Sequence, residues 1–147
     1  MGIFSAMKIG CDGLKVHGMR LDISSKNIAN LDTPNYVRKI PLVVSTDRSS
    51  FLSVMNQMKE EAFGAGTMPF STGSVACAGV VEDPTLGDKV YKPGHPDADA
   101  NGYIRTSNVD PLVEMTDAIM AQRAYEASLA IITMSKSMAD KAAAIGS

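Results

Sequence analysis

The N-terminal segment carries a seven-residue repeat of apolar and small residues, and this repeat constrains the fold more than any other feature. Between residues 3 and 31 it places side chains at alternating spacings of three and four: Phe4, Met7, Cys11, Leu14, Gly18, Leu21, Ser25 and Ile28. This spacing predicts a long helix with one seam, as in a coiled coil. Interior glycines at 10, 13 and 18 each cost ~1 kcal/mol relative to alanine in a helix. The helix therefore needs a partner to be stable.

The C-terminal segment predicts a second long helix. Asp110 is a suitable N-cap, Pro111 suits the first helical position, and Glu114 lies near the positive end of the helix dipole. A first apolar seam contains Met120, Ala124, Ala127, Ile131, Met134, Met138 and Ile145, and a second stripe contains Ala121, Tyr125, Ser128, Ile132, Ser135, Ala139 and Ala142. One partner helix cannot cover both stripes, so we expect either several neighbouring helices or a wide core face in a helical bundle.

Turn and strand signals fill the segment between the two helices. Pro34 ends the first helix because it disfavours the helical conformation at Thr33, and Asn35 tolerates a left-handed backbone. Strands are predicted at 37–45, where Pro41 indicates an edge position, at 75–81 and from residue 90 onward. Apolar residues spaced along the stretch 51–62 predict a short amphipathic helix.

The expected fold class is mainly α with a small β-containing insert. The long N- and C-terminal helices are predicted to pair as a coiled coil, with an outer β-rich domain between them in sequence. The predicted domain bounds are 1–36 for the N-terminal axial helix and turn, 37–109 for the outer insert, and 110–147 for the C-terminal helix that pairs with 1–36.

Composition excludes several classes of function. With 14 Lys and Arg against 16 Asp and Glu, the net charge of −2 creates no field that favours nucleic acid. Cys11 and Cys77 form neither a CxxC metal pair nor a disulfide framework. The first residues lack the apolar core of a cleaved signal peptide, and no stretch reaches the ~20 apolar residues of a membrane span. We expect no nucleic-acid partner, no membrane span and no cleaved signal peptide.

The sequence contains no constellation typical of catalysis or of cofactor binding. The two histidines, His17 beside the N-terminal seam and His95 in a turn-rich run, have no nucleophile placed beside them. The phosphate-binding motifs GxGxxG and GxxxxGK[ST] do not occur. Arg38 and Lys39 are an isolated basic pair, most simply a solvated strand end. We therefore predict that the chain is not an enzyme and has no cofactor.

The run DADANG, residues 97–102, matches the first half of an EF-hand calcium loop. The second half does not match, because position 9 is Arg105 and position 12 is Asn108, where a bidentate Glu is expected. Two interpretations stay open: a calcium-binding module over residues 97–108, or a series of Asx-turns that ends at a left-handed Gly102. Prolines before the run exclude the entering helix of the motif, so we predict no metal site.

Three motifs together resemble the axial proteins of the bacterial flagellum. ANLDTPNY follows the N-terminal helix, GHPDADANGY precedes a turn, and NVDPLVEMTDAIMAQRAYEASL begins the C-terminal helix. Rod, hook and hook-associated proteins share the first motif, whereas the stretch from Gly94 to Tyr125 is similar to FlgC-type proximal rod proteins of the basal body. Another rod or axial protein of the same family is the alternative within this structural class.

The resemblance implies a structural subunit of the proximal rod. Inter-subunit helix packing would build a helical tube that transmits torque and surrounds the export channel. The implied partners are copies of the chain itself, other proximal and distal rod proteins, and the flagellar type III export apparatus. The implied location is the periplasmic rod of the basal body, reached without a cleaved signal peptide.

The residues that match the family motifs are the predicted assembly residues. They are Asn30, Thr33, Pro34, Tyr36, Asn101, Gly102, Tyr103, Asn108, Val109, Asp110, Glu114, Met115, Arg123 and Tyr125. The predicted helix seam adds Phe4, Met7, Leu14, Leu21, Ile28, Met120, Ile131, Met134 and Met138. Arg123, a long cation on an alanine-rich helix, is predicted to make a charge contact between subunits, and a solvated surface position is the alternative.

Overall fold

The computed structural model describes residues 3–45 and 73–145, which form two long helices with two small antiparallel sheets between them in sequence. The elements are α1 (Ile3–Ala29), β1 (Lys39–Ser45), β2 (Val75–Glu82), β3 (Lys89–Tyr91), β4 (Tyr103–Arg105) and α2 (Pro111–Ile145). Both long helices and the strands expected at 37–45, 75–81 and 90 are confirmed, whereas β4 was not predicted. The short helix predicted within 51–62 lies outside the described residues.

The two helices pack against each other and run in opposite directions. A Cβ atom built on Gly10 would lie 2.8 Å from Ile132 Cγ1. At the other end of α1, Asn27 donates a hydrogen bond to Glu114. Rising residue numbers on α1 therefore meet falling numbers on α2, so the helices form an antiparallel hairpin.

Small residues form the contact between α1 and α2. The buried positions of α2 recur every seven residues, at Glu114, Ala121, Ser128 and Ser135, and the last three belong to the second stripe seen in the sequence. A Cβ atom built on Gly13 of α1 would lie 2.8 Å from Ser128 Oγ. Glycine is needed there because a side chain would occupy space already filled by α2.

The buried face of α1 is displaced from the predicted seam. Its buried residues are Gly10, Gly13, Val16, Ile23, Ser24 and Asn27, whereas Phe4, Cys11 and Ser25 are exposed and Met7, Leu14, Gly18, Leu21 and Ile28 are half-buried. On α2, the seam residues Met120, Ile131, Met134 and Met138 are 44% to 61% exposed. The predicted seam is therefore not the contact surface between the two helices of one chain, because glycine and serine permit a closer approach. Regular coiled-coil geometry stays a prediction.

The first sheet lies against α1. β1 and β2 pair antiparallel along their whole lengths, with a register shift after Leu42. Each strand has only this one partner among the described residues, so β1 is an edge strand, as Pro41 indicated. The strands contact α1, and no contact between a described strand and α2 is present. The outer side of α2 is thus left uncovered by these elements.

The second sheet is the short hairpin of β3 and β4. The rings of Tyr91 and Tyr103 meet edge to face, with centroids 5.2 Å apart. The loop between the strands ends at Gly102, whose φ of 80° confirms the predicted left-handed position. Asn35, in the turn after α1, also adopts a positive φ of 58°, as predicted.

Few large apolar residues are buried in the described part of the chain. The buried hydrophobic residues there are Val16, Ile23, Ile104, Val109 and Ala121. Many large apolar side chains on α2 are exposed instead, including Leu112, Met115, Ile119 and Leu129. Apolar surface of this extent on a folded chain indicates an interaction surface.

Candidate functional site

A cluster of polar side chains joins the end of α1, the start of β1 and the start of α2. We call it the polar junction and define it by Asn27, Tyr36, Arg38, Asp83, Asn108, Glu114 and Asp117. Tyr36, Asn108 and Glu114 were predicted from the family motifs, and the structure brings these three together although up to 78 positions separate them in sequence. The other four were not predicted.

Glu114 is the buried centre of the polar junction. It lies in the first turn of α2 and is 1% exposed. Its Oε1 accepts a hydrogen bond from Arg38 Nε at 2.6 Å, and its Oε2 accepts one from Asn27 Nδ2 at 3.1 Å. A buried carboxylate needs both a counter-charge and hydrogen-bond donors, and these two residues supply them.

Asn27, near the end of α1, is completely buried and binds the backbone of β1. Its Nδ2 donates to the carbonyl of Lys39 at 2.8 Å, and its Oδ1 accepts the Lys39 N–H at 3.0 Å. The same Oδ1 accepts a hydrogen bond from the hydroxyl of Tyr36 at 3.0 Å. Burial raises the pKa of Tyr36, and the nearby carboxylate of Glu114 raises it further, so the phenol stays a donor. One carboxamide thus connects α1, the following turn and β1.

Arg38 connects the junction through both its side chain and its backbone. Its guanidinium lies 3.8 Å from Asp83 Oδ2 and 3.6 Å from Asp117 Oδ2, in addition to the bond with Glu114. Its N–H donates to Asn108 Oδ1 at 2.6 Å, and its carbonyl accepts the N–H of Asp83 at 2.9 Å. The hydrogen bond with Glu114 is the main cause that raises the pKa of Arg38. The prediction that Arg38 is a solvated strand end is therefore wrong.

Asn108 extends the network to the loop that follows β2. Its Nδ2 donates to the carbonyl of Thr85 at 2.8 Å while its Oδ1 accepts from Arg38. The backbone N–H and the hydroxyl of Thr85 both donate to Asp83, and these bonds lower the pKa of that carboxyl. The loop is therefore held in one conformation beside the start of α2.

The first family motif forms the turn between α1 and the polar junction. Asn30 Nδ2 donates to the carbonyl of Lys26 at 2.8 Å, and Thr33 N–H donates to the carbonyl of Asn30 at 3.1 Å. Asn35 N–H donates to the carbonyl of Arg105 in β4 at 3.0 Å, so the second hairpin is docked on this turn. Pro34, within the turn, is half-buried.

The second family motif forms the loop between β3 and β4. The carboxylate of Asp99 accepts the N–H groups of Asn101 at 2.8 Å and of Tyr103 at 2.9 Å. The bond from Tyr103, followed by that from Asn101, lowers the pKa of Asp99. This is the Asx-turn arrangement that was one of the two interpretations of the sequence. Within 3–45 and 73–145, no three His, Cys, Asp or Glu side chains are grouped to hold a metal.

The third motif begins α2 as expected. Asp110 Oδ1 accepts the N–H of Leu112 at 2.9 Å, which confirms Asp110 as the N-cap. Further along α2, Arg123 and Tyr125 are exposed and lie outside the polar junction. The ring of Tyr125 lies over Gly18, where a built Cβ atom would be 3.7 Å away. Inter-subunit roles for Arg123 and for the exposed seam stay predictions.

The junction residues that sequence reasoning missed carry weak local signals. Asn27 is a polar residue at the end of a helix, and Arg38 is one of two adjacent basic residues. A further signal was available in the spacing, because Gly10, Gly13, Ser24 and Asn27 each stand one position before a residue of the predicted seam. None of the described helices is long and apolar enough to cross a bilayer.

Comparison with known proteins adds a family resemblance over the whole chain. A sequence model for the C-terminal part of the flagellar basal body rod FlgEFG proteins matches residues 100–145. The chain is 32% identical to the flagellar basal-body rod protein FlgC of Bacillus subtilis (strain 168), 31% identical to that of Salmonella typhimurium and 34% identical to that of Borreliella burgdorferi. The alignments cover 99% of this chain and 98% or 99% of each relative.

Proposed function

Since this chain belongs to the FlgC family of flagellar basal-body rod proteins, we propose that it is a proximal rod subunit and that the exposed seam of α2 is its main assembly surface. The resemblance predicted from the three motifs is confirmed, and with it the structural role of a rod subunit. The family is not enzymatic, which confirms the prediction that the chain is not an enzyme.

The observation that carries the proposal is the exposure of an apolar stripe beside a stripe that is already covered. Ala121, Ser128 and Ser135 are buried against α1, whereas Met134 is 61% and Met138 59% exposed. Burying one such side chain contributes about 1.5 to 3 kcal/mol, so a continuous stripe supports firm association. Methionine also adapts its shape to different neighbours, which suits a subunit that contacts more than one kind of rod protein.

The arrangement of the strands supports the same assignment. β1 and β2 lie against α1, and no described strand packs against α2, so the strands leave the stripe accessible to another helix. The stripe of one subunit would contact a different surface on the next. A contact between two different surfaces that does not close into a ring produces a helical filament.

The finer parts of the proposal follow from family membership. The paired helices would form the wall of a tube around the export channel, with regular coiled-coil packing between subunits, and residues 37–109 would lie outside it. Such a tube would transmit torque through its helix contacts. We assign the chain to the periplasmic part of the basal body, with copies of itself, other rod proteins and the flagellar type III export apparatus as partners.

A substitution in the exposed stripe tests the proposal. In cells that lack their own copy of the gene, the Met134→Asp variant is expected to be exported but to yield no complete rod and no swimming. A charge placed in an apolar contact between subunits must be desolvated without a partner, which opposes association. Isolated basal bodies would be counted by electron microscopy, and the exported variant measured by immunoblot.

Ser137→Asp is the matched control, because Ser137 is exposed on α2, about one turn further along and outside the seam. It introduces the same charge and is expected to leave rods and swimming intact. Normal rods with Met134→Asp would contradict the proposal. An equal loss of rods and swimming with both variants would show that the stripe has no special role.

A further inference from the structure

We propose that Arg38 is a positioning residue that fixes the described part of the insert, residues 37–45 and 73–109, in one orientation relative to the helix pair. The chain passes between the helices and the insert twice, near residues 36–38 and 107–110. These two passages are bonded side by side, because Arg38 N–H donates to Asn108 Oδ1 at 2.6 Å. Two adjacent passages alone would form a hinge about which the insert could pivot.

The Arg38 side chain connects the two sides of this hinge. On the insert side it lies 3.8 Å from the carboxylate of Asp83, whose N–H also donates to the Arg38 carbonyl at 2.9 Å. On the helix side it bonds Glu114 at 2.6 Å and lies 3.6 Å from Asp117, one turn along α2. One planar cation thus holds carboxylates from two parts of the molecule, and its fixed fork of donors restricts their relative direction.

The burial of Glu114 disfavours other orientations of the insert. The side chain of Glu114 is 2% exposed, and Arg38 is the only cation within ion-pair distance of it among the described residues. If the insert rotated away, Arg38 would leave with it and the carboxylate would stay buried without a counter-charge. Removing one partner of a buried ion pair is strongly destabilising, so rotated orientations are disfavoured.

The apolar contact between the first sheet and α1 cannot supply the same selectivity. Apolar association is non-directional, and several side chains of the sheet are substantially exposed, including Ile40 at 38%, Leu42 at 49% and Val75 at 37%. A sheet with so much exposed apolar surface can shift along a helix with little change in buried area. Asn27 binds the backbone of Lys39 and Ser74 binds Asp12, but these directional contacts join the sheet only to α1. The ion pairs of Arg38 are the ones that reach α2, so they select the position of the sheet relative to that helix.

Spin labels on the insert and on α2 can measure this orientation directly. The full-length chain would carry Cys11→Ser and Cys77→Ser, with labels at Val80→Cys in β2 and Glu126→Cys in α2, both exposed positions. Pulsed electron spin resonance then gives the distribution of distances between the labels. The labelled parent chain is expected to show one narrow distribution, and a broad one in the parent would overturn the proposal.

The decisive variant is Arg38→Gln, and Lys39→Gln is its matched control. Lys39→Gln removes the same charge one residue away, where only the backbone takes part in the junction. Arg38→Gln is expected to widen the distance distribution at least twofold, while Lys39→Gln leaves it unchanged. A narrow distribution with Arg38→Gln, or equal widening with both variants, would overturn the proposal.

The double variant Arg38→Met/Glu114→Leu separates positioning from stability and gives the test if Arg38→Gln fails to fold. Replacing a buried ion pair by apolar residues of similar size often preserves stability, so the variant is expected to fold, with a melting temperature lowered only by the loss of the Asn27–Glu114 bond. Its distance distribution is nevertheless expected to be broad, because the bonds that remain, from Asn27 to Lys39 and from Ser74 to Asp12, join the sheet only to α1. A narrow distribution in this variant would show that packing alone positions the insert.

Discussion

The close approach of α1 and α2 predicts opposite effects of the same substitution at two glycines of α1. Alanine in place of glycine in a helix interior gains about 1 kcal/mol of helix stability. At Gly18 the new Cβ atom would lie 3.7 Å from the ring of Tyr125, which is ordinary contact. We therefore expect Gly18→Ala to raise the free energy of unfolding by about 1 kcal/mol.

At Gly13 the same gain is opposed by a steric clash. The new Cβ atom would lie 2.8 Å from Ser128 Oγ, and this hydroxyl belongs to a buried residue and donates to the carbonyl of Ala124 at 2.9 Å. Adding a methyl group to a filled contact costs about 1 to 3 kcal/mol. After the helix gain is subtracted, Gly13→Ala is expected to lower the free energy of unfolding by up to ~2 kcal/mol.

Removing the hydroxyl of Ser128 should make Gly13→Ala stabilising instead of destabilising. In a Ser128→Ala background the nearest atom to the new Cβ would be the Cβ of residue 128 at 3.6 Å, so only the helix gain remains. Urea unfolding of the full chain, followed by circular dichroism at 222 nm, would give all four free energies of the double-mutant cycle. The reasoning fails if Gly13→Ala stabilises the parent chain as much as Gly18→Ala does.

Three further predictions concern a histidine, a turn and the predicted contact between subunits. Burial lowers the pKa of His17, so the unfolded chain binds a proton at this imidazole more readily than the folded chain does. Stability should therefore fall as pH drops below about 6.5. The His17→Gln variant should show a weaker pH dependence in thermal melts recorded from pH 7.5 to 5. Gly102→Ala should cost about 1 to 2 kcal/mol because φ is 80°, whereas Gly94→Ala, with no atom within 4 Å of a built Cβ, should cost much less in the same melts. Arg123→Ala should reduce rod number and swimming, and unaltered assembly would refute the proposed contact.

Local chemistry predicted the ends of elements well. A single residue decides each of these features: Pro34 excludes a helical neighbour, Asn35 and Gly102 accept a positive φ, and Asp110 accepts amide hydrogen bonds at a helix start. The structure contains the left-handed residues and the cap where the sequence predicted them. β4 was missed because three residues are too few to show an alternating pattern.

The packing face of the helices could not be predicted from apolar spacing alone. The seam pattern selects the largest side chains, but helices approach most closely where side chains are absent or small. Gly13 and Ser128 therefore form the contact, while Met134 stays on the surface. On α2 the predicted seam is exposed, whereas the small residues form the contact between the two helices of one chain.

The polar junction could not be predicted from the sequence, for a different reason. Arg38 and Glu114 are 76 positions apart, and neither residue type indicates a buried partner by itself. Their meeting depends on how the turn after α1 places β1 beside the start of α2. That placement is a property of the tertiary structure, and the family motifs marked only some of its residues.

The bond between Asn27 and Lys39 has a consequence for misfolding. An edge strand with free N–H and C=O groups can recruit a strand from another chain and start an aggregate. On β1, the carboxamide of Asn27 occupies both backbone groups of Lys39, and Pro41 has no N–H to offer. A foreign strand therefore finds no donor at either position. The first positions of β1 are in this way protected from pairing with a strand of another chain.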